Sequence, residues 1–184
     1  MGKIRLSCDD GCASDVRVAE LAKKYGIDCV FYWPVEWHSL AYDNGYEPLR
    51  YTDALKIAEA FEIGSHGITH RHLTKISVEE AKYEILRSRD MLSELFDAPI
   101  RKFCPSRGYL TDELKQYVKH TYGQYRLTKG PGLVHIHPDS GANGNKPWLD
   151  CIDENTTEIW GHSWEFDKYN LWQELEAFLE ASHS

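Results

Sequence analysis

The sequence predicts an α/β fold, a distorted (β/α)7 barrel of mostly parallel strands with helices outside. Two observations predict it. Short apolar segments alternate with amphipathic ones along the 184 residues, and about seven such strand–helix units fit this length. A chain of 184 residues has room for one core but not for two, so we expect residues 1–184 to form a single domain. In such barrels the chemistry lies where strands end and loops begin.

The first elements each follow from a local pattern. Residues 3–7 are the first predicted strand. Ser14 then caps a helix that reaches about Tyr25 and stops at Gly26, because glycine favours a helix C-terminus. Residues 28–33 are apolar, β-branched and aromatic, which predicts a second strand.

A capping box of Ser77 and Glu80 opens the longest predicted helix, which ends near Phe96. Its helical spacing predicts an inward face of Ala81, Ile85, Leu92 and Leu95. The other predicted helices begin at Thr52, Thr111 and Tyr169. The other predicted strands are residues 62–64, 101–103, 124–127, 133–137 and 157–160.

Composition argues against several classes of partner. Lys and Arg number 21 against 29 Asp and Glu, a formal charge of −8, whereas a nucleic-acid binder needs a basic face. No apolar run approaches the roughly 20 residues of a membrane helix. The N-terminus shows no signal-peptide pattern, and the five cysteines include no Cys-x-x-Cys pair. We therefore expect a cytoplasmic protein with reduced thiols and without nucleic-acid or membrane partners.

Two adjacent carboxylates follow the first predicted strand, in Asp9-Asp10-Gly11. Neighbouring strand residues point to opposite sides, so the two carboxylates can take different roles. An ordinary turn is the alternative interpretation, because Asp-Asp-Gly is also common in turns.

His66 and His70 follow the third predicted strand and are four residues apart, so both imidazoles can bind one metal ion. Gly67 stands where a His-Glu-x-x-His metalloprotease has its glutamate, which removes the general base of that class. With one of the two aspartates, the histidines make a ligand set that leaves coordination positions open. The other aspartate is then a candidate general base. Two polar loop histidines are the alternative.

Two later strand ends carry further candidates. The turn at residues 103–108 can aim a backbone N–H at a developing oxyanion, or it is an ordinary loop. His162 lies between Trp160 and Trp164 and is a candidate general acid, with a buried structural histidine as the alternative.

His135 and His137 share one face of a predicted strand, with Asp139 just beyond. These residues could also bind a metal. Because three ligands are already supplied elsewhere, we expect this pair to be structural or peripheral.

These motifs, in this order, resemble the polysaccharide deacetylases of carbohydrate esterase family 4. Residues 7–11 (SCDDG) are similar to the family's Thr-Phe-Asp-Asp-Gly motif, and residues 65–70 (SHGITH) to its histidine-bearing second motif. The resemblance covers roughly residues 3–128 and, more loosely, 159–179. Residues 129–158 do not match.

The resemblance implies a role for each matched position. It implies Asp9 as the general base and His162 as the general acid. It implies three metal ligands, Asp10, His66 and His70.

The sequence departs from the family in two motifs. The third motif often reads Arg-Pro-Pro-Tyr-Gly, and here Cys104 stands at its arginine position and Arg107 at its aromatic one. The arginine that usually partners the base is therefore missing, and Arg107 or Arg126 is the candidate substitute. The fourth motif, Asp-x-x-Trp, is absent, which leaves the partner of His162 open between Asp139, Asp150 and Asp153.

The resemblance implies a metal-dependent hydrolase that removes an acetyl or similar acyl group from an N-acetylated sugar or a related small amide. The expected cofactor is a divalent metal, Zn²⁺ first, with Co, Mn, Ni or Fe as alternatives. Trp33, Trp164 and Tyr109 are candidates to stack on a sugar face, or else are core and rim aromatics. Two other classes stay open: a degenerate deacetylase-like domain that binds glycan or a partner, and a non-haem iron oxygenase, whose site also uses two histidines and a carboxylate.

Overall fold

Seven parallel strands form one curled sheet in this protein, of which the computed structural model describes residues 4–137 and 146–183. The strands are β1 (Arg5–Asp9), β2 (Cys29–Trp33), β3 (Glu62–Ser65), β4 (Lys102–Phe103), β5 (Gln124–Tyr125), β6 (Leu133–His135) and β7 (Glu158–His162). Their order is β5-β4-β3-β2-β1-β7-β6, so β5 and β6 are the edges of a half-barrel. The predicted α/β fold class is confirmed.

Helices connect the strands and cover the sheet. They are α1 (Asp15–Lys24), α2 (Trp37–Asn44), α3 (Tyr51–Ala60), α4 (Val78–Phe96), α5 (Asp112–Tyr122), α6 (Ser163–Lys168) and α7 (Trp172–His183). The sequence pattern does not predict α2 and α6, because helices of eight and six residues are too short for an apolar stripe to repeat. Among the described helices, none combines the length and apolarity needed to cross a membrane.

The predicted capping box of α4 is confirmed. The Ser77 hydroxyl accepts from the Glu80 N–H at 3.2 Å, and the Glu80 carboxylate accepts from the Ser77 N–H at 3.0 Å. The prediction that Leu95 faces inward is wrong, because its side chain is 39% exposed. Phe96, four residues after the buried Leu92, packs against the core in its place.

The strand register brings the carboxyl ends of neighbouring strands level. Asp9, the last residue of β1, pairs with Tyr32 of β2 and with His162 at the end of β7. The strands β1 and β7 each run two residues beyond their predicted ends, so Asp9 and His162 are the last residues of their strands.

The hydrogen-bond ladder continues one residue past several strand ends. Cys104 donates its N–H to the Ser65 carbonyl at 2.9 Å, and Arg126 donates to the Phe103 carbonyl at 2.9 Å. His66 in turn donates to the Trp33 carbonyl at 2.9 Å. The residues that follow β3, β4 and β5 are therefore held at one edge of the sheet.

Candidate metal centre

Three donor side chains converge at the carboxyl end of the sheet. Asp10 Oδ1 lies 3.4 Å from His66 Nε2 and 3.3 Å from His70 Nε2. The three residues named as ligands from the sequence are thus brought together, in a group that could hold one metal ion.

A hydrogen bond fixes the tautomer of His66, and with it the state of the nitrogen that faces Asp10. His66 Nδ1 is 2.6 Å from the Cys104 carbonyl oxygen, which can only accept, so Nδ1 carries the proton. Burial lowers the pKa of His66 to about 4, so the ring is neutral at pH 7. Its Nε2 therefore presents a lone pair to the carboxylate.

The residues present fit a divalent cation. Asp10 Oδ1 is buried and has no hydrogen-bond partner among the described residues. A buried carboxylate oxygen that faces a lone pair needs a positive charge between them. Two donors that are each about 2.1 Å from an ion, at tetrahedral angles, lie about 3.4 Å apart, close to the spacing observed here.

The backbone bends sharply at two of the three ligands. Asp10 has φ 81° and His70 has φ 58°, left-handed values that are costly outside glycine and often occur at functional sites. Because Asp10 leaves the extended conformation, the strand alternation expected for Asp9 and Asp10 does not hold. Both carboxylates reach the same site.

Glu84, on the inward side of α4, holds the loop that carries both histidines. Its Oε2 accepts from the N–H groups of Ile68 at 2.7 Å and Thr69 at 3.1 Å, and its Oε1 accepts from the Thr69 hydroxyl at 2.6 Å. Sequence reasoning missed Glu84. The available signal was an acidic residue beside the buried positions Ala81 and Ile85 of an amphipathic helix.

Asp9 is a buried carboxylate paired with Arg126. Arg126 donates from Nη2 to Asp9 Oδ1, and its Nε lies 3.2 Å from Glu158 Oε1. Although burial would lower the pKa of Arg126, Asp9 and Glu158 hold it above its usual range. Of the two arginines considered as substitutes, Arg126 occupies the position beside Asp9.

The turn after β4 carries Cys104 and Arg107. The buried Cys104 thiol lies 3.7 Å from Asp9 Oδ2 and can donate a weak hydrogen bond. Arg107 is exposed on a short 3₁₀ turn, Ser106–Gly108, with a left-handed φ of 65°. The Arg107 side chain therefore points to solvent, and only its backbone remains a candidate for the oxyanion.

His162 lies between Asp10 and Glu165. Its Nε2 is 3.6 Å from Asp10 Oδ2, and its Nδ1 is 3.3 Å from Glu165 Oε2. Burial alone would lower the pKa of His162, but Asp10 and Glu165 raise it to about 10.

Of the three aspartates considered as partners of His162, the two that lie in the described residues do not take this position. Asp150 is exposed, Asp153 accepts from the Asn155 N–H at 2.9 Å, and Asp139 lies outside the described residues. Glu165, three residues after His162, was missed because α6 was not predicted. A Glu three residues after the N-cap is the available signal.

The aromatic candidates separate into core and surface. Trp33 is 0% exposed and donates its indole N–H to Asp15 at 2.8 Å, so the expectation that it stacks on a sugar is wrong. A strand covered on both faces buries every side chain. Trp164 is partly exposed, stacks on His162 at 5.4 Å and on Tyr46 at 6.0 Å, and lines a groove of about 680 Å³.

Comparison with known proteins gives one family and a common fold. The family model for polysaccharide deacetylase matches residues 2–125. A comparison with curated protein sequences returned no match.

Several solved structures share the fold at low sequence identity. The peptidoglycan N-acetylglucosamine deacetylase Bc1960, in complex with a substituted N-oxidanyl-benzamide, has a TM-score of 0.71 at 16% identity, over 99% of this chain and 83% of that one. A family 4 carbohydrate esterase from Streptomyces lividans, in complex with acetate, has a TM-score of 0.68 at 16% identity, over 99% of this chain and 90% of that one. A family 4 pseudoenzyme from Bacillus anthracis has a TM-score of 0.67 at 17% identity, over 95% of this chain and 61% of that one. Enzymes and a pseudoenzyme thus share this fold.

Proposed function

This chain belongs to the polysaccharide deacetylase family, and we propose that it is an active, metal-dependent deacetylase. In this proposal it removes an acetyl or similar acyl group from an N-acetylated sugar or a related small amide. One observation carries the proposal: an unsatisfied Asp10 oxygen faces two imidazole nitrogens at 3.3 and 3.4 Å, beside a second, separately paired carboxylate.

Asp10, His66 and His70 would hold the ion, and their nitrogen and carboxylate donors suit Zn²⁺. When bound, such an ion supplies Lewis acidity that polarises an acyl oxygen and acidifies water. The chain's own residues then bind the substrate, orient it and move protons.

Asp9 is proposed as the general base that takes a proton from the attacking water as the new C–O bond forms. Arg126 fixes the orientation of this carboxylate and places a positive charge beside it. The backbone of the turn at Arg107 is proposed to donate to the oxyanion.

His162 is proposed as the general acid that protonates the departing nitrogen as the C–N bond breaks. Its Nδ1 faces Glu165, which orients the ring and favours the imidazolium. Trp164 stacks on His162 and is the proposed platform for the sugar ring.

These contacts favour an active enzyme over a degenerate domain. In sequence, the arginine partner of Asp9 is replaced by Cys104, and the aspartate partner of His162 is lost with the fourth motif. In the structure, Arg126 lies beside Asp9 and Glu165 lies beside His162. An oxygenase site has no use for the Asp9–Arg126 pair, which supports hydrolysis.

The test is acetate release from N-acetylated chito-oligosaccharides, with each protein loaded with one equivalent of Zn²⁺. The proteins compared are the wild type, the Asp9→Asn and His66→Ala variants, and a His72→Ala control. His72 stacks on Tyr109 at 5.8 Å and is not a proposed ligand. We expect both site variants to lose at least a hundredfold in kcat/KM and His72→Ala to keep it.

Two outcomes would contradict the proposal in different ways. Equal activity in all four proteins would overturn the site assignment. Glycan binding by the metal-loaded protein without turnover on any acetamide or formamide would indicate the degenerate domain.

A further inference from the structure

A second group of donor side chains lies beside the candidate metal centre. Glu165 Oε2 is 3.3 Å from His162 Nδ1 and 3.6 Å from His135 Nε2. His135 comes from β6, His162 ends β7, and Glu165 is the third residue of α6. Three separate elements therefore bring two imidazoles and a carboxylate together.

The donor atoms of this second group have a spacing suited to one small ion. Each donor lies within 4.8 Å of the others. The distances of 3.3 and 3.6 Å bracket the spacing of about 3.4 Å between two donors around a tetrahedral Zn²⁺. The cluster is thus compact enough for one ion to contact all three residues.

Two of the three residues, His135 and Glu165, have charge states that suit a cation. Burial lowers the pKa of His135, so this ring is neutral at pH 7 and one nitrogen carries a lone pair. Burial would raise the pKa of Glu165, but His135 and His162 hold it well below its usual range. Glu165 is therefore ionised.

His135 is held in a fixed orientation. Its ring lies parallel to Trp160, with centroids 3.8 Å apart and an interplanar angle of 10°. The side chains of His135 and Glu165 are buried. The site therefore loses little side-chain entropy when an ion binds.

We propose that His135, His162 and Glu165 form a second metal site, which takes a divalent cation such as Zn²⁺ and inhibits the enzyme when filled. The ion replaces the proton on His162 Nδ1, and that proton leaves to solvent. The ring then carries only its Nε2–H proton, whose loss would leave an imidazolate, so His162 no longer acts as a general acid. The inhibition rests on the proposed function, whereas the ion binding does not.

The primary test counts ions. Zn²⁺ is titrated into chelator-treated protein against a chromophoric competitor, and the bound metal is confirmed by native mass spectrometry. We expect two ions in the wild type, one in His135→Ala and His135→Gln, and two in His120→Ala, which removes an exposed histidine of α5. His66→Ala should lose the other ion and keep this one.

A second measurement follows acetate release against free Zn²⁺. We expect wild-type activity to fall at least tenfold as the second site fills, and His135→Ala to show no fall. A cadmium NMR spectrum of the wild type, which needs no variant to fold, should show two resonances.

The outcomes separate this proposal from the proposed function. One ion in the wild type, or two ions in both His135 variants, would overturn the second site. Two ions at saturation, with no turnover on any acetamide at one equivalent of Zn²⁺, would overturn the deacetylase activity and leave the second site standing.

Discussion

The buried pair of Arg126 and Asp9 allows a sharp test by replacement of Arg126 with methionine. The Arg126 side chain is 4% exposed and that of Asp9 is 2% exposed. The guanidinium carbon lies 5.0 Å from the ring of Tyr32 and 4.7 Å from that of Trp160. Methionine keeps much of the packing but no charge, so Asp9 becomes an unpaired buried carboxylate.

The expected loss follows from that unpaired charge. Removal of one partner of a buried ion pair costs about 3–5 kcal/mol. A domain is typically stable by about 5–15 kcal/mol, so the loss is a large part of the total. At about 2–4 °C per kcal/mol for a chain of this size, Tm should fall by roughly 6–20 °C.

Urea unfolding followed by tryptophan fluorescence measures the loss, with Arg107→Met as the matched control. Arg107 is exposed, so its replacement should change the free energy of unfolding by about 0.5 kcal/mol or less. Adding Asp9→Asn to Arg126→Met removes the unpaired Asp9 carboxylate and should recover part of the loss, because Glu158 still lacks its Arg126 partner. A loss under about 1 kcal/mol for Arg126→Met, or an equal loss for Arg107→Met, would refute this account of the pair.

Three further predictions concern the helix behind the site, a buried acid and the aromatic platform. Glu84→Gln replaces a charged acceptor of two backbone N–H groups with a neutral amide oxygen. The weaker hydrogen bonds hold the histidine loop less firmly and should weaken Zn²⁺ binding by about 10–100-fold in a chelator competition, while Glu94→Gln, exposed on the same helix, should not. Burial raises the pKa of Asp15 to about 7, so between about pH 4 and pH 7 the folded protein holds a proton on Asp15 that the unfolded chain has released. The stability that Asp15 contributes is therefore complete below about pH 4 and is lost as the pH rises to about 7. Urea unfolding at several pH values measures this. Relative to Asp15→Asn, the free energy of unfolding of the wild type should fall by at most about 4 kcal/mol over that range, and a difference between the two proteins that does not change with pH would contradict the prediction. Trp164→Ala should raise KM for chito-oligosaccharides about tenfold with a smaller effect on kcat, and an unchanged KM would remove Trp164 from the sugar platform.

The sequence predicted the groups that lie on strand ends. Asp9 ends one strand and Asp10 follows it, while His66 and His70 follow another strand at a spacing typical of a shared ion. These features are local, so they could be found without knowledge of the packing. The edge of the sheet at which they meet follows from parallel strands alone.

The sequence did not predict the partners that arrive from other elements. Glu84 reaches the histidine loop from α4, and its role depends on how the helix is rotated over the sheet. Trp33 shows the same limit, because its aromatic character is equally suited to a core or a rim. Only the packing of α2 and α4 over β2, where Trp33 contacts Trp37 and Phe96, places it in the core.

The positive charge beside Asp9 comes from a different strand end than the one that the resemblance implies. The resemblance to polysaccharide deacetylases implies an arginine at the position of Cys104, just after β4. Here Arg126 follows β5 instead, and Phe103 pairs with Tyr125, so the residues after both strands are neighbours. Cys104 approaches Oδ2 of Asp9 while Arg126 contacts Oδ1, so the two positions serve the same carboxylate. The sheet register therefore keeps a positive charge beside Asp9 although the third motif has lost it.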